Sequence, residues 1–218
     1  MYKIVTLLKS SISKNCWNAQ KKRNILGSEK KVLREATIKD RQAIAELVYV
    51  ILTDMQLPFL KGKTKEQTVN LLAETITDPT YRYGYKRGIV EDIEGTVAGI
   101  AFGYRSFDEK VIDRPFSKTL QAHGLLNERL FTDPECFPDE WYLDTICVAE
   151  DFRGRGIGSK LLDGINLQAK TTGAHKIGLC VDHQNPKAQS LYERKGFKVV
   201  GEQVLSGHNY HHMQKVIA

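Results

Sequence analysis

Residues 141–159, W-Y-L-D-T-I-C-V-A-E-D-F-R-G-R-G-I-G-S, set the frame for the rest of the chain. Tyr142 to Val148 are mostly β-branched, aromatic or apolar, which is strand composition. Arg153 to Gly158 then bring three glycines and two arginines. From Ile157 onward the apolar positions fall at Ile157, Leu161, Leu162 and Ile165, the spacing of a helix face. The stretch reads as strand, glycine-rich turn, helix. Glycines at the mouth of a helix let a ligand approach the backbone closely. The first N–H groups of a helix have no partner within it, and the helix dipole there favours negative charge. Such a turn is an anion site, most naturally for phosphate.

Two common nucleotide motifs fail on spacing. A P-loop needs G-x-x-x-x-G-K-[ST], which Gly154 to Lys160 do not supply. A dinucleotide fingerprint needs G-x-G-x-x-G, whereas Gly154, Gly156 and Gly158 are spaced G-x-G-x-G. Arg153, Gly156 and Gly158 instead spell R-x-x-G-x-G. Downstream lies a second apolar strand, Lys176 to Asp182, and then N-P-K-A-Q-S-L-Y-E-R-K-G-F from Asn185 to Phe197. Asn185 suits a helix cap, Pro186 the first helical position and Gly196 the helix end. Asn185 and Tyr192 are seven residues apart, two turns, and so lie near one face.

Both runs, in this order, resemble the two signatures of the GNAT superfamily of N-acetyltransferases. The first resembles its acetyl-CoA pyrophosphate loop. The second resembles the N-x-x-A-x-x-L-Y-x-x-x-G-F helix that follows the fifth strand. The resemblance implies an α/β acyl-CoA N-acyltransferase fold, a mixed central sheet of about seven strands flanked by helices. It also implies N-acetyl transfer from acetyl-CoA directly to a primary amine, with no metal required. By the same resemblance the loop Arg153, Gly154, Arg155, Gly156, Gly158 and Ser159 holds the pyrophosphate. The backbone around Ile146 and Val148 pairs with the pantetheine arm, and Asn185 hydrogen-bonds that arm. Tyr192 is the candidate general acid. A phenol titrates near 10 and a thiol near 8.5, so a neutral tyrosine can quench a departing thiolate (both values approximate).

Asp144 is the candidate base. A carboxylate in an otherwise apolar strand asks for a reason, and two stand side by side: proton acceptance near the acceptor, or a buried partner such as an arginine. Period two places Asp144 on one face with Tyr142, Ile146 and Val148. Glu140, or a water chain, is the other route for the proton. Asp133, Glu135, Asp139, Glu140 and Asp144 form the densest acidic run near this strand, suited to drawing in a cationic amine or simply to solvation.

The chain has 218 residues and a formal charge of +6. That length suits one domain with a full core. Lys3, Lys9, Lys14, Lys21, Lys22 and Arg23 account for the whole excess, because residues 1–28 contain no acid. The remainder is balanced, which argues against a nucleic-acid partner. No apolar run approaches the roughly 20 residues of a membrane span. Cys16, Cys136, Cys147 and Cys180 show no C-x-x-C pair, and unpaired thiols suit a reducing, cytoplasmic compartment. His208, His211 and His212 do not make a metal set along a single strand, since only His208 and His212 share a face and no acid or cysteine completes them.

In chain order, residues 1–30 read as a basic extension that the resemblance does not cover, and 31–218 as the catalytic domain. Val32 to Ala36 form a first strand, and Thr37 caps a helix from Ile38 to about Asp54. A second helix runs from about Lys65 to Ile76. Tyr83 to Ile93 and Thr96 to Phe107 form a hairpin turning at Glu94-Gly95. A helix from Phe116 to about Leu130 follows, and Phe197 to Leu205 with Asn209 to Ile217 close the chain as a hairpin. Two rival functions share parts of this pattern. One is a non-catalytic acyl-CoA-binding module of the same fold. The other is a dinucleotide-binding oxidoreductase, with Asp182 about 25 residues after the glycine loop as its ribose acid. The assembly expected is a monomer or homodimer. The acceptor expected is a small molecule or peptide bearing a primary amine.

Overall fold

The computed structural model describes residues 30–217, so the predicted basic extension lies, save for Lys30, outside the described residues. The elements follow the expected order. They are β1 (Lys31–Glu35), α1 (Arg41–Asp54), α2 (Lys65–Thr75), β2 (Gly88–Ile93), β3 (Thr96–Arg105), α3 (Arg114–Ala122) and β4 (Trp141–Val148). Then come α4 (Ile157–Thr171), β5 (Lys176–Asp182), α5 (Pro186–Arg194), β6 (Lys198–Leu205) and β7 (His208–Val216). The seven strands make one sheet in the order β1-β2-β3-β4-β5-β7-β6. All neighbours are antiparallel except β4 and β5. The chain crosses over twice: α4 carries it from β4 to the parallel β5, and α5 carries it from β5 past the later β7 to β6, which also runs parallel to β5.

The two faces of the sheet carry separate cores. Leu161, Leu162 and Ile165 of α4 and Tyr192 of α5 pack on Leu143, Ile146 and Val148. Each fully buried apolar side chain there contributes about 1.5–3 kcal/mol. The other face takes Ile44, Val48 and Leu52 of α1 and Leu72 of α2 against Val90, Ile100 and Phe102. Further along that face a third cluster gathers Tyr104, Tyr142, Cys180 and Tyr210.

Three boundaries differ from expectation, each for a local reason. The strand expected from Tyr83 starts at Gly88, because Tyr81 and Tyr83 turn inward and pack edge-to-face at 5.5 Å. The helix expected to reach Leu130 stops at Ala122, two residues before Gly124, whose φ of +76° ends it. The helix expected from Ile38 begins as a 3-10 turn, where Asp40 accepts the Thr37 backbone N–H at 2.7 Å.

Candidate active site

The site begins where β4 and β5 part. Their parallel pairing holds only at Trp141–Ile177 and Tyr142–Gly178. Beyond that, β4 continues to Val148 and β5 to Asp182 without bonding each other, so both strands expose unpaired backbone groups into the split. At its closed end sits Glu140, wholly buried. Its carboxylate accepts from the Phe137 backbone at 2.7 Å and from Gln214 at 2.7 Å, and contacts the His212 Nε2 at 3.0 Å. This carboxylate occupies the space that a side chain at position 178 would need, which is why Gly178 stands there.

The glycine turn lies at the open end. Gly154 and Gly156 adopt φ of +74° and +78°, and Gly156 is the residue preceding α4. Among the described residues nothing lies within 4 Å of where a Cβ at Gly154 or Gly156 would stand, so the backbone of the turn can be approached closely. Arg153 Nε donates to the Val148 carbonyl at 3.2 Å, which ties the turn to the strand. Arg155 donates to the Asp151 carbonyl at 3.2 Å and lies over the Phe152 ring. A cleft of about 340 Å³ runs from Val148 over Gly156, Gly158 and Ser159 to Arg194 and Lys195. The last two cations were not legible as part of the site. They come from the far end of α5, and nothing in the sequence says that this end returns to the turn.

α5 faces the same split. Asn185, 3% exposed, caps it by accepting the Ala188 N–H at 3.2 Å, with Pro186 in the first turn as expected. Tyr192 is wholly buried, its ring edge-on to Phe197 at 5.9 Å. Burial pushes its phenol well above the ordinary value, so it is protonated at any physiological pH. Its hydroxyl has no hydrogen-bond partner among the described residues. A buried hydroxyl without a partner costs about 1–3 kcal/mol, and a ligand atom arriving there would offset that cost.

Beside β4 a buried charge cluster is organised by a residue that the sequence reading missed. Arg82, 3% exposed, donates Nη1 to Asp144 at 2.8 Å and grips Asp113 with Nε at 2.8 Å and Nη2 at 2.7 Å. Glu135 lies 3.6 Å from Nη1, and the guanidinium stacks 4.1 Å from the Phe131 ring centre. Burial works against its charge, yet Asp113 and Asp144 more than compensate and hold it firmly protonated. Asp144 thus has the arginine partner that stood as the alternative to a catalytic role. Its Oδ1 is engaged and its Oδ2 has no partner among the described residues.

The predicted face of Asp144 is corrected. Leu143 pairs with Gly103 and Thr145 with Phe102, so Asp144 is an extra residue, a β-bulge. The bulge shifts the alternation by one. Tyr142 stays on the face of Tyr104 and Tyr210 while Ile146 and Val148 turn to the α4 face. The acidic run is corrected too. Asp133 accepts the Ser206 N–H at 2.7 Å, Glu135 and Asp144 attend Arg82, Glu140 is wedged below the split, and only Asp139 sits exposed in a turn with φ +57°. A cleft of about 470 Å³ reaches Arg82 past Glu109, Asp113, Arg114, Phe131 and Asp133. It is built from the long segment between β3 and β4. Beside it, Cys180 donates to Gln203 at 3.0 Å and lies 3.4 Å from His212 Nδ1, which extends the Glu140 network across the sheet.

The model of the acetyltransferase (GNAT) family matches residues 65–197. A crystal structure described as an acetyltransferase is 53% identical, with a TM-score of 0.80, over 86% of this chain and all of that one. An N-acetyltransferase from Staphylococcus aureus Mu50 is 30% identical at a TM-score of 0.75, over 84% of this chain and all of that one. A putative acetyltransferase from Salmonella typhimurium, solved with its cofactor acetyl-CoA, shares the fold at 16% identity and a TM-score of 0.57, over 87% of this chain and 95% of that one. Among curated proteins, GCN5-related N-acetyltransferase 6 of Arabidopsis thaliana is 29% identical over 43% of this chain, a match that spans 38% of the plant protein's length. The 5-NmdU N-acetyltransferase of Pseudomonas phage PaMx11 is 40% identical over 29% of this chain and 43% of its own. With the matched span running from α2 through the Tyr192 helix, the chain belongs to the GNAT acetyltransferase family.

Proposed function

We propose that the protein is an acetyl-CoA-dependent N-acetyltransferase that acts on a primary amine borne by a small molecule or peptide. The observation that carries the reading is the buried, unpartnered Tyr192 hydroxyl beside a split sheet whose open end is a glycine-lined helix N-terminus. Acetyl-CoA is two-ended in the same way. Its pyrophosphate suits the turn at Arg153, Gly154, Arg155, Gly156, Gly158 and Ser159, with Arg194 and Lys195 adding charge. The amides of its arm suit the β4 backbone around Ile146 and Val148, which β5 leaves unpaired and where Arg153 takes only the Val148 carbonyl.

In the transfer the amine nitrogen bonds to the acetyl carbon as the carbon–sulfur bond breaks. Tyr192 supplies a proton to the leaving thiolate, and the ammonium form of the amine gives up two: one as the amide forms, which balances the proton Tyr192 has lost, and one before attack. Asp144 Oδ2 is the proposed acceptor of that proton, directly or through water. Three carboxylates, Asp113, Glu135 and Asp144, surround the guanidinium of Arg82, and the cleft that reaches them is lined by Glu109 and Asp133 as well as Lys110, Arg114 and Arg129, a mixed charge that suits a polar amine. Thermal stabilisation by acetyl-CoA, followed by thiol release with a panel of amines, tests the proposal. Stabilisation by acetyl-CoA with no thiol release for any amine would favour the binding module, and stabilisation by NAD alone would favour the oxidoreductase.

A further inference from the structure

Away from the split, three strands that are neighbours in space each place one metal-binding group at the same end of the sheet. His183 follows the last residue of β5, His211 lies on β7, and Glu202 lies on β6 opposite His211. In the sheet order these are adjacent strands. We propose that His183, Glu202 and His211 bind a divalent transition-metal ion, with zinc as the best fit. Their ligand atoms all lie within 4.8 Å of one another, the only such grouping of three among the described residues.

The geometry is close to what binding needs. Glu202 lies between the two rings: Oε2 is 2.6 Å from His183 Nε2, and Oε1 is 2.6 Å from His211 Nδ1. The imidazoles stack at 3.9 Å with 27° between their planes, so both present a nitrogen to the same point. A neutral imidazole carries its proton on one nitrogen only. A shift of that proton to the outer nitrogen of each ring frees the inner lone pairs for a metal, with no net loss of protons. Two imidazoles and one carboxylate match zinc, whereas magnesium and calcium favour all-oxygen shells. The cluster is open to solvent, with the three side chains 40%, 57% and 24% exposed, so water can complete the shell.

The sequence reading missed this set because it looked along one strand. His211 was considered with His208 and His212, while the acid that completes it is across the sheet. Placement suggests a consequence. His183 lies between Asp182, whose carbonyl accepts the Asn185 N–H at 2.8 Å, and Asn185 itself. A bound ion would tie the turn before α5 to the β6–β7 hairpin. It would act as a clamp on that turn and take no part in acetyl transfer, so the proposal stands apart from the proposed activity.

The test uses untagged full-length protein, stripped with a chelator and titrated with zinc chloride by calorimetry, with magnesium chloride as the control. The expected result is one zinc per chain and no magnesium binding. Loss even of a group outside the metal's own ligand set typically weakens affinity by roughly 10- to 100-fold, so His183→Ala and Glu202→Gln should each weaken zinc by about 100-fold or more. Both positions are exposed, and circular dichroism checks that the variants remain folded. Absence of zinc binding would overturn the proposal, as would zinc binding of unchanged strength in the two folded variants.

Discussion

The two sides of the split between β4 and β5 are built in opposite ways. The proposed carrier side is made of backbone and of two contiguous runs, Arg153 to Ser159 and Asn185 to Tyr192. The proposed acceptor side is made of side chains drawn from distant segments: Arg82 before β2, Asp113 before α3, Glu135 before β4 and Asp144 within it. A thioester carrier is a constant, and a continuous motif can hold it. An acceptor differs between proteins, and a pocket assembled from scattered residues can change one residue at a time. The difference also predicts what damage does. Faults on the carrier side should cost affinity and rate, and faults on the acceptor side should first cost stability.

The largest effect should come from Arg82→Met. It leaves Asp144 buried with its partner gone, and breaking a buried ion pair from one side costs about 3–5 kcal/mol. For a chain of this size that is a fall in Tm of roughly 6–20 °C. The double variant Arg82→Met with Asp144→Leu should regain part of the loss, because the stranded charge is removed. If Tm in the single variant stays within a degree of wild type, the acceptor side is not held by this pair.

Next in size is Gly156→Glu. It puts an anion about where the pyrophosphate docks and an ordinary side chain at φ +78°, with nothing within 4 Å of the new Cβ to obstruct it. Repulsion at about 4 Å is worth roughly 1–4 kcal/mol, which weakens acetyl-CoA by about 5- to 1000-fold. Calorimetry gives the affinity, and a melting curve shows whether the fold survives. Equal affinity in variant and wild type would separate the turn from the carrier.

The smallest effect is expected at Asp144→Asn. The amide keeps the shape and can still accept a hydrogen bond from Arg82, so stability should fall less than in Arg82→Met. Turnover should fall at neutral pH and recover in part towards pH 10, where the acceptor amine, with a pKa near 10.4, loses its proton unaided (values approximate). A pH–rate profile parallel to wild type would leave Asp144 as the partner of Arg82 alone.

The same contrast explains what was legible in the sequence. The strand order, the glycine turn, the Asn185 cap and the position of Tyr192 were readable because each depends on residues close in the chain. Strand periodicity failed at Asp144 because a single inserted residue in β4 reverses every face after it. Arg82 was invisible because it lies in an irregular segment and its partners are 31, 53 and 62 residues away. The Glu140 network needed the close approach of β4 to Gly178, which composition does not reveal.

Tyr192 gives the sharpest test of the proposed chemistry, since its buried hydroxyl has no hydrogen-bond partner among the described residues. Tyr192→Phe removes that single oxygen. The direct measurement is kcat for thiol release beside the dissociation constant for acetyl-CoA, in wild type and variant, with an amine that wild type acetylates. The account predicts a fall in kcat of about 100-fold or more, with acetyl-CoA affinity nearly unchanged. An unchanged kcat, with chemistry shown to be the slow step by a single-turnover experiment, would contradict it.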